Sequence, residues 1–200
     1  MSPLTKQQLQ KIRDDRREQI KQAALKVFAR RGITGTKTSM IAAEAGISEG
    51  LMYRYFHSKD DLFTELVEDL LEEAAREMGQ AAHLPGTPYE QIQALTEQML
   101  DEKNKYAFML IQQARRAERL PSKAAEILQQ HSPHSLIDRL LPLFVQGQQA
   151  GLFSAGDPRQ LLSWYFFIIN SLIMQEQDQE EYGLPDPGVL MRMLAKQTKS

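Results

Sequence analysis

The chain has 200 residues, of which 42% are hydrophobic and 25% are charged, a composition that suits one large or two small globular domains. It contains no cysteine, which excludes a disulfide framework, a thiolate nucleophile and a cysteine-based metal site. The N-terminal stretch lacks an apolar signal region, and no apolar run reaches the roughly 18 residues that a membrane span needs. We therefore expect a soluble, cytoplasmic protein.

Charge is distributed unevenly along the chain. Residues 1–60 carry a net charge of +6 and residues 61–200 carry −8, although the whole chain is close to neutral at −2. A basic segment attached to an acidic remainder indicates that the basic segment meets a polyanion. The alternative, that the charges only cover solvated faces, stays open on charge alone.

Apolar residues recur at helical spacing almost throughout the chain. The first predicted helix covers residues 15–31, with one apolar stripe from Ile20 to Phe28, and Gly32 ends it. The residues before it, 1–14, are expected to be a flexible or helical extension.

Two short helices and one long helix are predicted next. The short helices cover residues 38–45 and run from the N-cap residue Ser48 to Phe56. The long helix follows the N-cap residue Ser58 and continues to about residue 80. It leads from the basic segment into the acidic one, as a mechanical link would, but any helical protein can contain such a helix.

Five further helices are predicted in the remainder, over residues 89–103, 105–119, 122–149, 157–177 and 187–196. Pro133 and Pro142 should break or kink the third of these. No internal repeat or low-complexity segment is visible. The whole chain is therefore predicted to be all-α.

Residues 32–63 have the outline of a helix-turn-helix unit. Ala45 and Gly46 provide the small residues that allow two helices to cross closely at the turn. Met52 and Phe56 lie four residues apart, so both would face inward from the second of the two short helices.

The opposite face of that helix would present Glu49, Gly50, Tyr53 and Arg54 to solvent. Gly50 lets the backbone approach a base edge, Leu51 can contact a thymine methyl group, and Arg54 can reach guanine or a phosphate. Glu49 is ambiguous, because it could accept a hydrogen bond from cytosine N4 or point away from the DNA. This pattern favours recognition in a major groove.

The segment IAAEAGISEGLMYRYFHSKDDLF, residues 41–63, resembles the DNA-binding signature of the TetR family of bacterial transcriptional regulators. That signature typically reads Ile-Ala, two residues, Ala-Gly-Val-Ser, then Gly, Leu-Tyr, Tyr-Phe and Ser-Lys before a long helix. Ile47 and Met52 replace the usual Val and Leu, and the preceding VFARRGITGTKT also fits the family. The resemblance covers about fifty residues.

The resemblance implies an N-terminal three-helix DNA-binding domain, residues 1–57, joined by a long helix to a larger ligand-binding and dimerisation domain, residues 58–200. It implies contacts with bases or nearby phosphates from one group of residues: Ser48, Glu49, Gly50, Leu51, Tyr53 and Arg54. It implies contacts with the DNA backbone from a second group: Thr36, Lys37, Thr38, Tyr55 and Lys59. Thr38 and Leu51 depart from the commoner residue types, apolar and small polar respectively. The alternative is a helix-turn-helix used only for packing.

The segment LLSWYFFIINSLIM, residues 161–174, contains only three polar residues and must be covered on all sides. We expect one face to pack on its own domain and the other on a second chain, with residues 187–196 completing a four-helix interface. The expected interface residues are Leu162, Phe166, Ile169, Ile173, Leu190, Met193 and Leu194. The alternative is a central helix of a monomer.

A regulator must respond to a signal, and the resemblance implies that the signal is a small molecule bound in the C-terminal domain. Residues of the type that line apolar pockets are Tyr106, Phe108, Met109, Gln112, Phe144, Trp164 and Phe167. The same residue types also fill cores. Ligand binding would change the spacing of the two DNA-binding domains through the long helix, which would lower the affinity for DNA.

Two other classes of protein are less consistent with the sequence. An enzyme is disfavoured, because no glycine-rich phosphate loop and no nucleophile–base set is present, and His131 and His134 lack further metal ligands nearby. A helical adaptor that binds only protein would leave the basic segment without a role. We therefore predict a non-enzymatic DNA-binding regulator without a cofactor. By family habit it is a repressor, bound to a palindromic operator as a homodimer and released by an unknown effector.

Overall fold

The computed structural model describes residues 5–174 and 183–196. Over these residues the chain forms α-helices joined by turns, and no helix among them is long and apolar enough to cross a membrane. The helices are α1 (Lys6–Arg31), α2 (Thr38–Glu44), α3 (Glu49–Met52), α4 (Lys59–Gln80), α5 (Pro88–Leu100), α6 (Lys105–Arg116), α7 (Ser122–Gln130), α8 (Pro133–Gln149), α9 (Pro158–Ile173) and α10 (Pro187–Met191). The predicted all-α class is confirmed.

Helix α1 begins well before the predicted residue 15. Thr5 and Gln8 form a capping box, in which the Thr5 hydroxyl accepts from the Gln8 amide at 3.3 Å and the Gln8 side chain accepts from the Thr5 amide at 2.8 Å. The following residues are mostly good helix formers that stay exposed. Residues 6–14 of the extension are therefore helical although they have no apolar stripe, and residues 1–4 lie outside the described residues.

Other boundaries also differ from prediction. Helix α3 ends at Met52 instead of reaching Phe56, because the amides of Arg54 and Tyr55 bond to carbonyls three residues back. The predicted helix over residues 122–149 is two helices, since Pro133 starts α8 after the N-cap Ser132, whereas Pro142 lies inside α8. The predicted end of α9 at residue 177 lies outside the described residues.

The chain forms two compact units. The first, here the N-terminal unit, comprises residues up to 69 together with 110–126, and the C-terminal unit comprises 70–109 and the residues from 127 onward. Helices α4, α6 and α7 each contribute to both units. This is a division by packing, and the functional boundary between residues 57 and 58 stays a prediction.

Each unit has its own apolar core. In the N-terminal unit the rings of Phe28 and Phe63 meet edge to face with centroids 5.1 Å apart. In the C-terminal unit α5, α8, α9 and α10 enclose a second core, where the rings of Phe144 and Phe153 stack at 4.5 Å. The N-terminal core holds the short helices in place.

Candidate nucleic-acid interface

The turn between α2 and α3 is fixed by backbone hydrogen bonds. Gly46 has a φ of 66°, the Ile47 amide bonds to the Ala42 carbonyl at 2.9 Å, and the Gly46 amide bonds to the Ala43 carbonyl at 3.1 Å. This pattern is a Schellman motif, which favours glycine at this position. The Gln19 side chain of α1 also donates to the Ala45 carbonyl at 2.8 Å. The turn therefore sets the direction of α3.

The inward face of α3 is as predicted. Met52 is fully buried and Phe56 is 3% exposed. Ser48 caps the helix, because its hydroxyl accepts from the Leu51 amide at 3.2 Å. These contacts leave the opposite face of α3 for a partner.

That opposite face is open to solvent. Glu49, Gly50 and Arg54 are exposed, Tyr53 is 48% exposed, and Leu51 is half-buried. A Cβ atom added to Gly50 would meet no atom within 4 Å, and Gly50 has no positive φ. The fold itself therefore does not require glycine at this position.

A hydrogen-bonded group joins this face to the start of α2. The Thr38 hydroxyl donates to a Glu49 carboxylate oxygen at 3.1 Å, and the Tyr53 hydroxyl lies 3.4 Å from the Thr38 oxygen. The second contact is at the long end for a hydrogen bond. The single Thr38 proton thus serves Glu49.

Lys59 has internal partners at the start of α4. Its ammonium group donates to the carbonyl oxygens of Ile33 at 2.8 Å and Thr36 at 2.9 Å. An ammonium group has three donors, so one donor remains for a phosphate. Lys59 therefore holds the loop before α2 and can still face DNA from there.

The remaining predicted contacts with the DNA backbone differ in accessibility. Thr36 is 2% exposed and its hydroxyl donates to the Gly32 carbonyl at 2.7 Å, so its side chain is committed to the loop. This corrects the expectation that the Thr36 side chain meets a phosphate. Lys37 is exposed, and Tyr55 is half-buried.

An ion pair joins α1 and α4. Arg17 pairs with Glu65 through two hydrogen bonds, one of them 2.6 Å long, and its guanidinium carbon lies 4.5 Å from the centroid of the Phe56 ring. The hydrogen bond from Arg17 lowers the pKa of Glu65, and the same bond raises the pKa of Arg17. The sequence pattern did not indicate this brace, because its partners are 48 positions apart.

The expected ligand residues differ in their exposure. Trp164 and Phe167 are 57% and 71% exposed, which removes them from an enclosed pocket, and Phe144 is fully buried in the core. The four expected ligand residues that lie on α6 are half-buried: Tyr106, Phe108, Met109 and Gln112. An open cavity of about 550 Å³ beside the Phe153–Ala195 bridge is lined by none of the seven.

The expected dimer residues need a correction. Six of the seven side chains face the core of their own C-terminal unit: Leu162, Phe166, Ile169, Ile173, Leu190 and Leu194. A side chain buried in its own protomer offers no surface to a second chain. Met193 is 48% exposed, and the exposed apolar face of α9 is that of Trp164 and Phe167. An all-apolar sequence does not indicate which face points inward.

Metal-binding geometry is not found over the described residues, where no three His, Asp or Glu side chains are grouped so as to hold an ion. The Nδ1 atom of His131 lies 3.2 Å from the Ile127 carbonyl, within its own helix turn.

Comparison with known proteins identifies the N-terminal segment. Residues 20–66 match the family model described as bacterial regulatory proteins, tetR family. The regulator BetI of Brucella canis is 35% identical over 80 residues, which are 40% of each chain. The chain thus spans about 40% of the length of the curated relatives it matches first.

Longer similarities extend over most of the chain. The regulator AcrR of Shigella flexneri is 24% identical over 201 residues, covering 90% of both proteins. A solved regulator from Saccharomonospora viridis, in complex with choline, is 20% identical with a TM-score of 0.69, covering 90% of this chain and 94% of the other. This likeness shows the shared fold. The relatives are named as transcriptional regulators, in agreement with the prediction of a non-enzyme.

Proposed function

We propose that this chain, whose residues 20–66 match the family model of tetR-family bacterial regulatory proteins, is a regulator of that family and controls transcription by binding a palindromic operator as a homodimer. In this proposal α3 enters the major groove and a small molecule in the C-terminal domain releases the DNA. The action on the operator is repression, and the protein acts in the cytoplasm.

The observation that carries the proposal is the exposed face of α3. Gly50 and Arg54 are open to solvent although the helix is anchored by the buried Met52 and Phe56. Gly50 has no side chain, so the backbone there can approach base edges, and the Arg54 guanidinium group can bind a base edge or a phosphate. The net charge of +6 over residues 1–60 supports the same partner.

A second copy of the chain is the proposed partner of α9. Trp164 and Phe167 are three residues apart on one exposed face of this helix, and large exposed apolar side chains grouped together are typical of an interaction surface. Of the seven residues expected at the interface, Met193 is exposed and remains a candidate for contact with the second chain. A two-fold dimer would present two copies of α3 to a palindrome.

The effector is proposed only as a class, a small molecule bound by the C-terminal domain. The half-buried Tyr106 and Phe108 of α6 remain candidates for contact with it. The solved relative from Saccharomonospora viridis holds choline, but the rings of Phe144 and Phe153 stack on each other here and form no free aromatic cage.

The deciding experiment is selection of sequences from a random duplex pool by the purified full chain, read by sequencing. We expect one palindromic motif, and an affinity for it that falls steeply as salt rises. Failure of the folded, ligand-free protein to enrich any motif would overturn the proposal. In that case a helical adaptor that binds only protein becomes the better hypothesis.

A further inference from the structure

Glu49 places a carboxylate on the face of α3 that is proposed to approach a polyanion. Phosphates repel a carboxylate, so its presence there needs a compensating donor on the DNA or a position away from it. The sequence alone leaves both alternatives open. The contacts of Glu49 distinguish them.

Thr38 holds the Glu49 carboxylate at one oxygen. Its hydroxyl donates to Oε2 at 3.1 Å, and Tyr53 approaches the same hydroxyl oxygen at 3.4 Å. A hydroxyl has one proton, so Thr38 in this arrangement donates to Glu49 and not to a phosphate. The carboxylate is thus fixed at the start of α2, in the part of the surface that includes Gly50.

The carboxylate keeps most of its accepting capacity. An ionised carboxylate has about four lone-pair sites, and one of these receives the Thr38 proton. Glu49 is exposed, and no Lys or Arg forms an ion pair with it in the part of the chain that the structure describes. Its second oxygen is therefore available to a donor from outside the protein.

The major groove offers two such donors, the amino groups at cytosine N4 and adenine N6. Adenine also presents the acceptor N7 beside its amino group, which would repel the free carboxylate oxygen. Cytosine has no acceptor on that side of its own amino group. A carboxylate therefore favours cytosine.

We propose that Glu49 reads a cytosine in each half-site by accepting a hydrogen bond from N4, and that Thr38 is the residue that positions it. This inference rests on the proposed function, since it names the base chemistry of that same surface. It also replaces the expectation that the Thr38 side chain holds the DNA backbone.

The test is the same selection from a random pool, run with the full-length wild type and with Glu49→Gln. The wild type is expected to prefer cytosine at one position of each half-site by about tenfold. In Glu49→Gln a side-chain amide of the same shape can donate to N7 and accept from N6, so that position should change to adenine. The other positions of the motif should stay the same.

A second pair of variants tests the positioning role. Thr38→Val keeps the branched shape and removes the hydroxyl, so the preference at the cytosine position should relax. Thr38→Ser should restore the preference. The matched control is Lys37→Ala, an exposed neighbour, which should weaken binding to all sequences alike and reduce the salt slope by about one.

The outcomes separate this inference from the proposed function. A palindromic motif without a fixed cytosine, or one that Glu49→Gln leaves unchanged, overturns the role of Glu49 and leaves a DNA-binding regulator. A relaxed motif in Thr38→Val that Thr38→Ser does not restore overturns the positioning role. Absence of any motif from the folded wild type overturns both, and circular dichroism of each variant verifies folding.

Discussion

Arg17 on α1 and Glu65 on α4 form an ion pair with two hydrogen bonds, which joins the first and fourth helices of the N-terminal unit. The pair lies next to Phe56, whose ring packs under the Arg17 guanidinium group. It therefore braces α1 and α4 beside Phe56, one of the two residues that anchor α3.

This ion pair should make stability depend on pH in the acid range. The pKa of Glu65 is lowered in the folded chain, so the unfolded chain binds more protons near and below the ordinary value of about 4.5. The contribution is complete above that pH and is lost as the pH falls through the folded-state pKa. It should be no more than about 1 kcal/mol, since the pair is partly exposed.

Glu65→Gln should remove this part of the acid dependence, as measured by urea unfolding between pH 3 and 7. Glu18→Gln, on the exposed surface of α1, is the control and should leave the profile unchanged. A Glu65→Gln profile identical to that of the wild type would show that the pair does not contribute.

Two glycines should respond in opposite ways to substitution by alanine. Gly46→Ala places a Cβ atom at a φ of 66° and should lower the free energy of unfolding by roughly 1–2 kcal/mol. Gly50→Ala meets no protein atom within 4 Å, so stability should be unchanged or slightly higher. Its DNA affinity should nevertheless fall, because the added methyl group occupies the space of the approaching base edge. Thermal unfolding measures the stability of both variants, and DNA titration measures the affinity of Gly50→Ala. Undiminished DNA binding by Gly50→Ala would contradict a close approach of Gly50 to a base edge.

Lys59 should contribute both to folding and to DNA binding. Lys59→Met keeps much of the side-chain length but loses the hydrogen bonds to Ile33 and Thr36, so the N-terminal unit should lose about 1 kcal/mol of stability. The slope of DNA affinity against salt should also fall by about one. Lys37→Met is the control, with the same salt effect and no loss of stability. Equal stability of Lys59→Met and the wild type would contradict the role in the loop.

Substitutions on the two faces of α9 should have separate effects, one on association and the other on folding. Ser substitution at both Trp164 and Phe167 should leave the protomer folded and shift the protein to monomers in sedimentation velocity. Phe166→Ala on the buried face should instead lower the free energy of unfolding by about 3–5 kcal/mol. A double variant that stays dimeric would place the interface on another surface.

The sequence predicted most of the helix-turn-helix because local rules determine it. Gly46 at the turn, Ser48 at the cap and Met52 on the inner face are each recognisable from residue type and spacing. The early start of α1 was also recognisable in principle, since Thr5 and Gln8 have the spacing of a capping box.

The rest depended on tertiary contacts that spacing does not encode. Lys59 was predicted only as a phosphate contact, because its two carbonyl partners lie 23 and 26 positions away in the sequence. Helix α9 is apolar on nearly every side, so only its neighbours determine that Phe166 is buried and Phe167 is exposed. The sequence therefore showed that α9 is apolar but not which of its faces is exposed.

The exposure of Trp164 gives the protein a built-in optical reporter. The chain has one tryptophan, and that residue stands 57% exposed on α9. Its emission therefore originates from a single known position and responds to whatever covers that helix. A blue shift on raising the protein concentration would record a drier indole environment, without any dye or added residue. Quenching by iodide would report the same event through the access of an ion to the ring.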